Sequence, residues 1–100
     1  MISYVVEAGT TVRVQSKFTS FEGVLIDPEV VRVEVYDNSM KTKLDEATLS
    51  ESNHSSTGKY FYDYTTQEVE DTFYIKFIGE INGHPNISRL EVVTRFKPIR

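Results

Sequence analysis

The sequence predicts an all-β fold, and three observations carry that expectation. Apolar residues recur at every second position in most segments. Nothing holds a helical period over a useful length. Turn-forming residues separate the alternating stretches at roughly even spacing. About seven strands arranged this way point to an immunoglobulin-like antiparallel β-sandwich, with an open meander or small barrel as the other arrangement the pattern allows.

The strands follow in order. Ser3 to Val6 reads as a short strand, ended by Ala8-Gly9. Thr11 to Thr19 alternates, with Val12, Val14, Ser16 and Phe18 on one face and Arg13, Gln15 and Lys17 on the other. Phe21-Glu22-Gly23 signals a turn, and Pro28, lacking an amide hydrogen, argues against a central strand position there. Val30 to Tyr36 turns Val31, Val33 and Val35 inward. Thr42 to Leu49 has no clean period and reads as a short edge strand, and Ser50 to Thr57 reads as polar loop.

Lys59 to Thr65 carries Tyr60, Tyr62 and Tyr64 on one face, and Thr72 to Ile78 carries Phe73, Ile75 and Phe77. Burying a ring of this size stabilises by roughly 1.5–3 kcal/mol, so the tyrosines are expected in the core and not on a sugar-stacking platform. Asn82-Gly83 is a hairpin signal inside a loop read as Gly79 to Asn86. Arg89 to Phe96 closes the fold, with Leu90, Val92 and Phe96 inward, until Pro98 stops it. One domain over residues 1–97 with a tail of 98–100 accounts for the 100 residues.

Composition removes whole classes of chemistry. There is no cysteine, which excludes disulfides, thiolate metal sites and cysteine nucleophiles. The net charge of −4 argues against nucleic acid as a partner. No apolar run approaches the roughly 20 residues that span a bilayer, and the N-terminus has no signal-peptide pattern, so a product of the cell interior without a membrane partner is expected.

Residues with chemical potential are few. His54 and His84 have no second ligand at useful spacing and read as solvated loop residues. Asn53-His54-Ser55 offers a serine beside a histidine but no orienting acid. Asp37, Glu68, Glu70 and Asp71 lie where loops could gather them, as Ca²⁺ ligands or as plain solubilising charge; the second reading is preferred. Asn53-His54-Ser55 and Asn86-Ile87-Ser88 match a glycosylation pattern that is inconsequential without secretion. No catalytic constellation and no cofactor motif is present, so a non-enzymatic role is expected.

The outward face of the third, sixth and seventh predicted strands is the best candidate site. It carries Arg32, Tyr36, Tyr74 and Lys76, together with Ile78, Arg89 and Arg95, interspersed with Glu34, Glu91 and Val93. Tyrosine and arginine are enriched at interface hot spots. The competing reading is cross-strand ion pairing on a solvated sheet.

Several motifs together resemble a known family. They are the Ala8-Gly9-Thr10-Thr11 opening, Phe18-x-x-Phe21-x-Gly23 followed by Asp27-Pro28, the run Val31 to Asp37, Thr57-Gly58-Lys59-Tyr60, Asp71 to Phe77, and Gly79-x-x-Asn82-Gly83. Across about Val5 to Phe96 the chain resembles the short immunoglobulin-like proteins encoded among head and tail structural genes of tailed bacteriophages and prophages. More distantly it resembles macroglobulin-type modules of bacterial surface proteins. Thr42 to Thr57 departs from the pattern. The resemblance implies a virion-associated decoration or assembly role, with capsid or tail subunits as partners. A carbohydrate-binding or cell-surface adhesion module is the alternative.

Overall fold

A computed structural model describes residues 2–97; the predicted tail and the stop at Pro98 lie outside the described residues. Among the described residues there are eight strands: β1 (Ile2–Glu7), β2 (Thr11–Lys17), β3 (Val30–Tyr36), β4 (Lys43–Thr48), β5 (His54–Ser56), β6 (Lys59–Thr65), β7 (Thr72–Ile81) and β8 (His84–Arg95). They form a five-stranded sheet in the order β1-β8-β7-β3-β4 and a three-stranded sheet in the order β2-β6-β5. This is an all-β sandwich of immunoglobulin-like type, and β3, β7 and β8 are neighbours as the candidate face requires.

The core lies where the alternation puts it. From the smaller sheet come Val12, Val14, Phe18, Tyr60 and Tyr64; from the larger come Val31, Val33, Val35, Ile75, Phe77, Leu90 and Val92. Tyr62 packs against this core half-buried. Phe18 meets Tyr60 edge-on at 5.9 Å, and Tyr64 meets Phe73 at 6.4 Å, distances at which aromatic pairs add stabilisation beyond area burial.

Four expectations change. The segment read as polar loop contains the 3₁₀ turn Glu51–Asn53 and the strand β5, paired to β6. The loop read as Gly79 to Asn86 is instead the end of a long hairpin: Ile81 pairs with His84, leaving only Asn82 and Gly83 between them, with φ of 52° and 76°. Two consecutive positive φ values belong to a type I′ turn, whose twist matches that of the strands. Gly79 therefore lies within β7, where a Cβ would meet the Phe18 ring at 2.6 Å and Pro28 at 2.8 Å; the missing side chain admits the ring.

Phe96 lies beyond β8 and is exposed. The inward position belongs to Thr94, which is fully buried. Its Oγ1 donates to the Val69 carbonyl at 2.6 Å and accepts from the Asp71 N–H at 2.9 Å, pinning the β6–β7 loop to β8. Finally, β1 pairs with β8 in parallel, in a register from Ile2↔Leu90 to Glu7↔Arg95. The predicted edge strand is found at the opposite margin, as β4.

Candidate functional site

The outer face of the five-stranded sheet is built on three cross-strand rows. In the first, Arg32 of β3 lies opposite Ile78 of β7, which lies opposite Ile87 of β8. In the second, Glu34 faces Lys76 and Lys76 faces Arg89. In the third, Tyr36 faces Tyr74 and Tyr74 faces Glu91. Residues directly opposite in a sheet have Cβ atoms about 4.5–5.5 Å apart, so each row sets neighbouring side chains within reach of one another.

Glu34 is the centre of this face. It points away from the core yet is only 8 % exposed, because its neighbours close over it. Tyr36 donates its hydroxyl to Glu34 Oε1 at 2.7 Å. Lys43 Nζ lies 3.3 Å from the carboxylate, Lys76 Nζ 3.7 Å and Arg32 Nη1 3.9 Å. The hydrogen bond from Tyr36, with the two lysines, holds the Glu34 carboxyl below its usual range. The same bond raises the Tyr36 hydroxyl. Lys43 is raised by its contacts with Glu46, at 3.0 Å, and Glu34.

The structure brings five of the seven predicted residues together. Arg32, Tyr36 and Lys76 converge on Glu34, with Tyr74 and Arg89 adjoining. Ile78 belongs to the same face but is buried, so it contributes packing and no exposed contact surface. Arg95 stands apart, six residues along β8 from Arg89, or roughly 20 Å at strand rise, and its guanidinium turns back to its own backbone, donating from Nη1 to the Thr94 carbonyl at 2.9 Å.

Exposed residues of this face that the sequence reading did not place on it include Lys43 and Glu46, which β4 sets opposite Tyr36 and Glu34, and Ile87. The signal for Ile87 was the Asn82-Gly83 pair, which, taken as a two-residue turn, extends both strands and places it outward beside Ile78.

A second polar constellation lies at the smaller sheet. His54, expected in a solvated loop, is on β5 with its side chain 18 % exposed. Its ring lies 4.8 Å from that of Tyr60, and Nε2 is 3.0 Å from Asp27 Oδ1 while Nδ1 is 3.4 Å from Glu51. The same Asp27 oxygen accepts the Gly58 N–H at 2.7 Å. This knot ties the β2–β3 connection to the β5–β6 turn. Two acids thus orient His54 where the sequence offered none, but among the described residues no hydroxyl is hydrogen-bonded to the imidazole, the adjacent Ser55 Oγ donating instead to the Lys59 carbonyl, and the geometry is that of a structural clamp.

Among the described residues no three His, Asp or Glu side chains converge as a metal-ligand set, and no helix is long and apolar enough to cross a membrane. No family model matches the chain, and no curated protein matches it in sequence.

Proposed function

We propose that this chain is a non-enzymatic docking module, a head or tail decoration or assembly protein of a phage or prophage particle, that works through the outer face of its five-stranded sheet. The observation that carries the docking reading is the state of Glu34. A carboxylate left unpaired on a docking face must lose its water when a partner arrives, at a cost of several kcal/mol. Glu34 is already enclosed by Tyr36, Lys43 and Lys76. What remains at the surface is Tyr36 beside Tyr74, with Arg89 and Ile87 at the margin; tyrosine and arginine are among the residue types that contribute most at interfaces.

The sandwich supports the same reading. A face carried on hydrogen-bonded strands is preorganised and loses little entropy on docking. The particle setting rests on the resemblance of the turn and core motifs to phage immunoglobulin-like proteins. The sugar-binding alternative loses its principal support, because Tyr60 and Tyr64 are buried and Tyr62 is half-buried, leaving no exposed row of rings on that strand.

The test is co-purification of the tagged chain with the proteins encoded by its flanking genes, each expressed separately. A defined-stoichiometry complex with a capsid, portal or tail protein supports the proposal. Flanking genes of sugar utilisation, together with binding to a polysaccharide and to none of the neighbouring proteins, overturns it.

A further inference from the structure

The four margins of the two sheets are not equally protected. An open strand edge presents unpaired N–H and C=O groups, and proteins block such edges with charge, bulges or short length. Edge strand β4 carries Lys43, Asp45 and Glu46 and pairs through a bulge at Val35/Tyr36. Edge strand β5 has three residues. Edge strand β2 carries Arg13 and Lys17. The fourth, β1, reads Ile-Ser-Tyr-Val-Val-Glu, with a single charge, no proline and no bulge in its pairing.

The backbone of β1 has a definite valency. Ala8 N–H donates to the Arg95 carbonyl at 2.8 Å, which in the parallel register of Glu7↔Arg95 turns the amide groups of Tyr4 and Val6 toward β8. Those of Ser3 and Val5 point the other way. Among the described residues, neither the N–H nor the C=O of Ser3 or Val5 has a partner. The side chains at this margin are also open: Ile2 is 64 % exposed and Val5 71 %.

We infer that β1 is a self-association edge, pairing antiparallel with β1 of a second copy about a two-fold axis at Tyr4. In that register Ser3 lies opposite Val5 of the second copy and Val5 opposite its Ser3. These are the residues whose amides face outward, so the open groups of one copy are matched one for one by the other in four hydrogen bonds. Tyr4 meets Tyr4 as the intervening pair without hydrogen bonds. Inward-facing residues stay inward, with Ile2 placed against the half-buried Val6 of the second copy.

Charge also fits a second copy. Ser3 Oγ donates to Glu91 Oε1 at 2.7 Å, and the row Glu91-Ser3 continues into Val5-Val93 of the other chain. No row therefore sets like charges side by side, and Glu7, the one charge on the strand, falls outside the Ser3–Val5 overlap. The two five-stranded sheets join into one of ten. An edge contact of this length lies below the ~1,200 Å² of standard stable interfaces, so the dimer is weak in dilute solution and populated where copies are concentrated. The inference stands independently of the docking face and of any particle.

The test is sedimentation equilibrium from about 1 μM to about 1 mM, with amide exchange followed at the same concentrations. The wild type should show a reversible monomer–dimer equilibrium, and the Ser3 and Val5 amides should gain protection with concentration, while those of Tyr4 and Val6 are protected throughout. Val5→Pro removes an outward N–H without touching the β1–β8 ladder and should be monomeric. Val5→Glu keeps the backbone intact, sets a carboxylate against the Glu91-Ser3 row of the second copy and should also be monomeric, so a folding defect in the proline variant leaves the test standing. A wild type that stays monomeric up to the highest concentration overturns the inference, as does a Val5→Glu protein that dimerises like the wild type.

Discussion

Asp27 and His54, 27 residues apart in the chain, meet at 3.0 Å between Oδ1 and Nε2. The aspartate sits between β2 and β3 and the histidine on β5, so the contact closes one end of the sandwich across two connections. Burial pulls the imidazole toward its neutral form, but the charges and hydrogen bonds of Asp27 and Glu51 outweigh this and raise it above 6.5. Asp27 is lowered below 3.8, mainly by the Gly58 N–H and then by His54.

These directions fix a pH dependence. A group raised on folding contributes stability that is complete below its unfolded value and is lost as pH rises through the folded one. For His54 that loss falls above pH 6.5. A lowered carboxyl contributes above its unfolded value and loses the contribution as pH falls through the folded one, which for Asp27 lies below 3.8. The pair therefore stabilises most between these limits. Melting temperature should fall as pH rises above 6.5 in the wild type, and His54→Gln should show a flatter profile over that range. Identical profiles for the two proteins would remove His54 from the account.

Gly58 should not accept a side chain. Its φ is +74°, and a Cβ there would lie 2.8 Å from the Phe18 carbonyl oxygen and 3.1 Å from the Ile26 nitrogen. Both neighbours are backbone, held by the bonds Phe18 N–H to Gly58 O at 2.7 Å and Ile26 N–H to Phe18 O at 3.0 Å. Left-handed backbone at a non-glycine residue costs about 1–3 kcal/mol, and displacing these strands adds to it. Gly58→Ala should lose at least that much in chemical denaturation, and a variant as stable as the wild type would contradict the turn geometry.

Thr94 provides a cleaner probe of a buried polar group. Thr94→Val keeps shape and volume but leaves the Val69 carbonyl without its donor and the Asp71 N–H without its side-chain acceptor. Buried groups stripped of a partner cost about 1–3 kcal/mol each. The valine variant should be destabilised by that order, with faster amide exchange in residues 66–71, while Thr94→Ser keeps both bonds and should lose less. Equal losses in the two variants would point to methyl packing in place of the hydroxyl.

The contrast between Thr94 and Phe96 shows what the sequence disclosed. Strict alternation through Leu90 and Val92 places residue 94 inside, but hydrophobicity at Phe96 draws attention past it to a position where the strand has ended. The inward triplets of β2, β3 and β7 were legible because every second residue there is apolar, Ser16 excepted, and the tyrosines of β6 because rings of that size need burial. His54 was not legible, since its partner Asp27 comes from another connection and no local spacing records the meeting. The parallel pairing of β1 was hidden for the same reason. On the outer face, alternation named the residues, but only the register showed that Arg32, Tyr36 and Lys76 surround Glu34, and that Arg95 stands apart.

The proposed docking face is tested most directly by the double variant Tyr74→Ala/Arg89→Glu, compared with the wild type for affinity to whichever protein the co-purification identifies. Both side chains lie on the outer face and neither belongs to the buried core, so the melting temperature should change little. Removing a tyrosine and an arginine from this face should weaken binding at least about tenfold. Unchanged affinity in the folded double variant would contradict the assignment of this face.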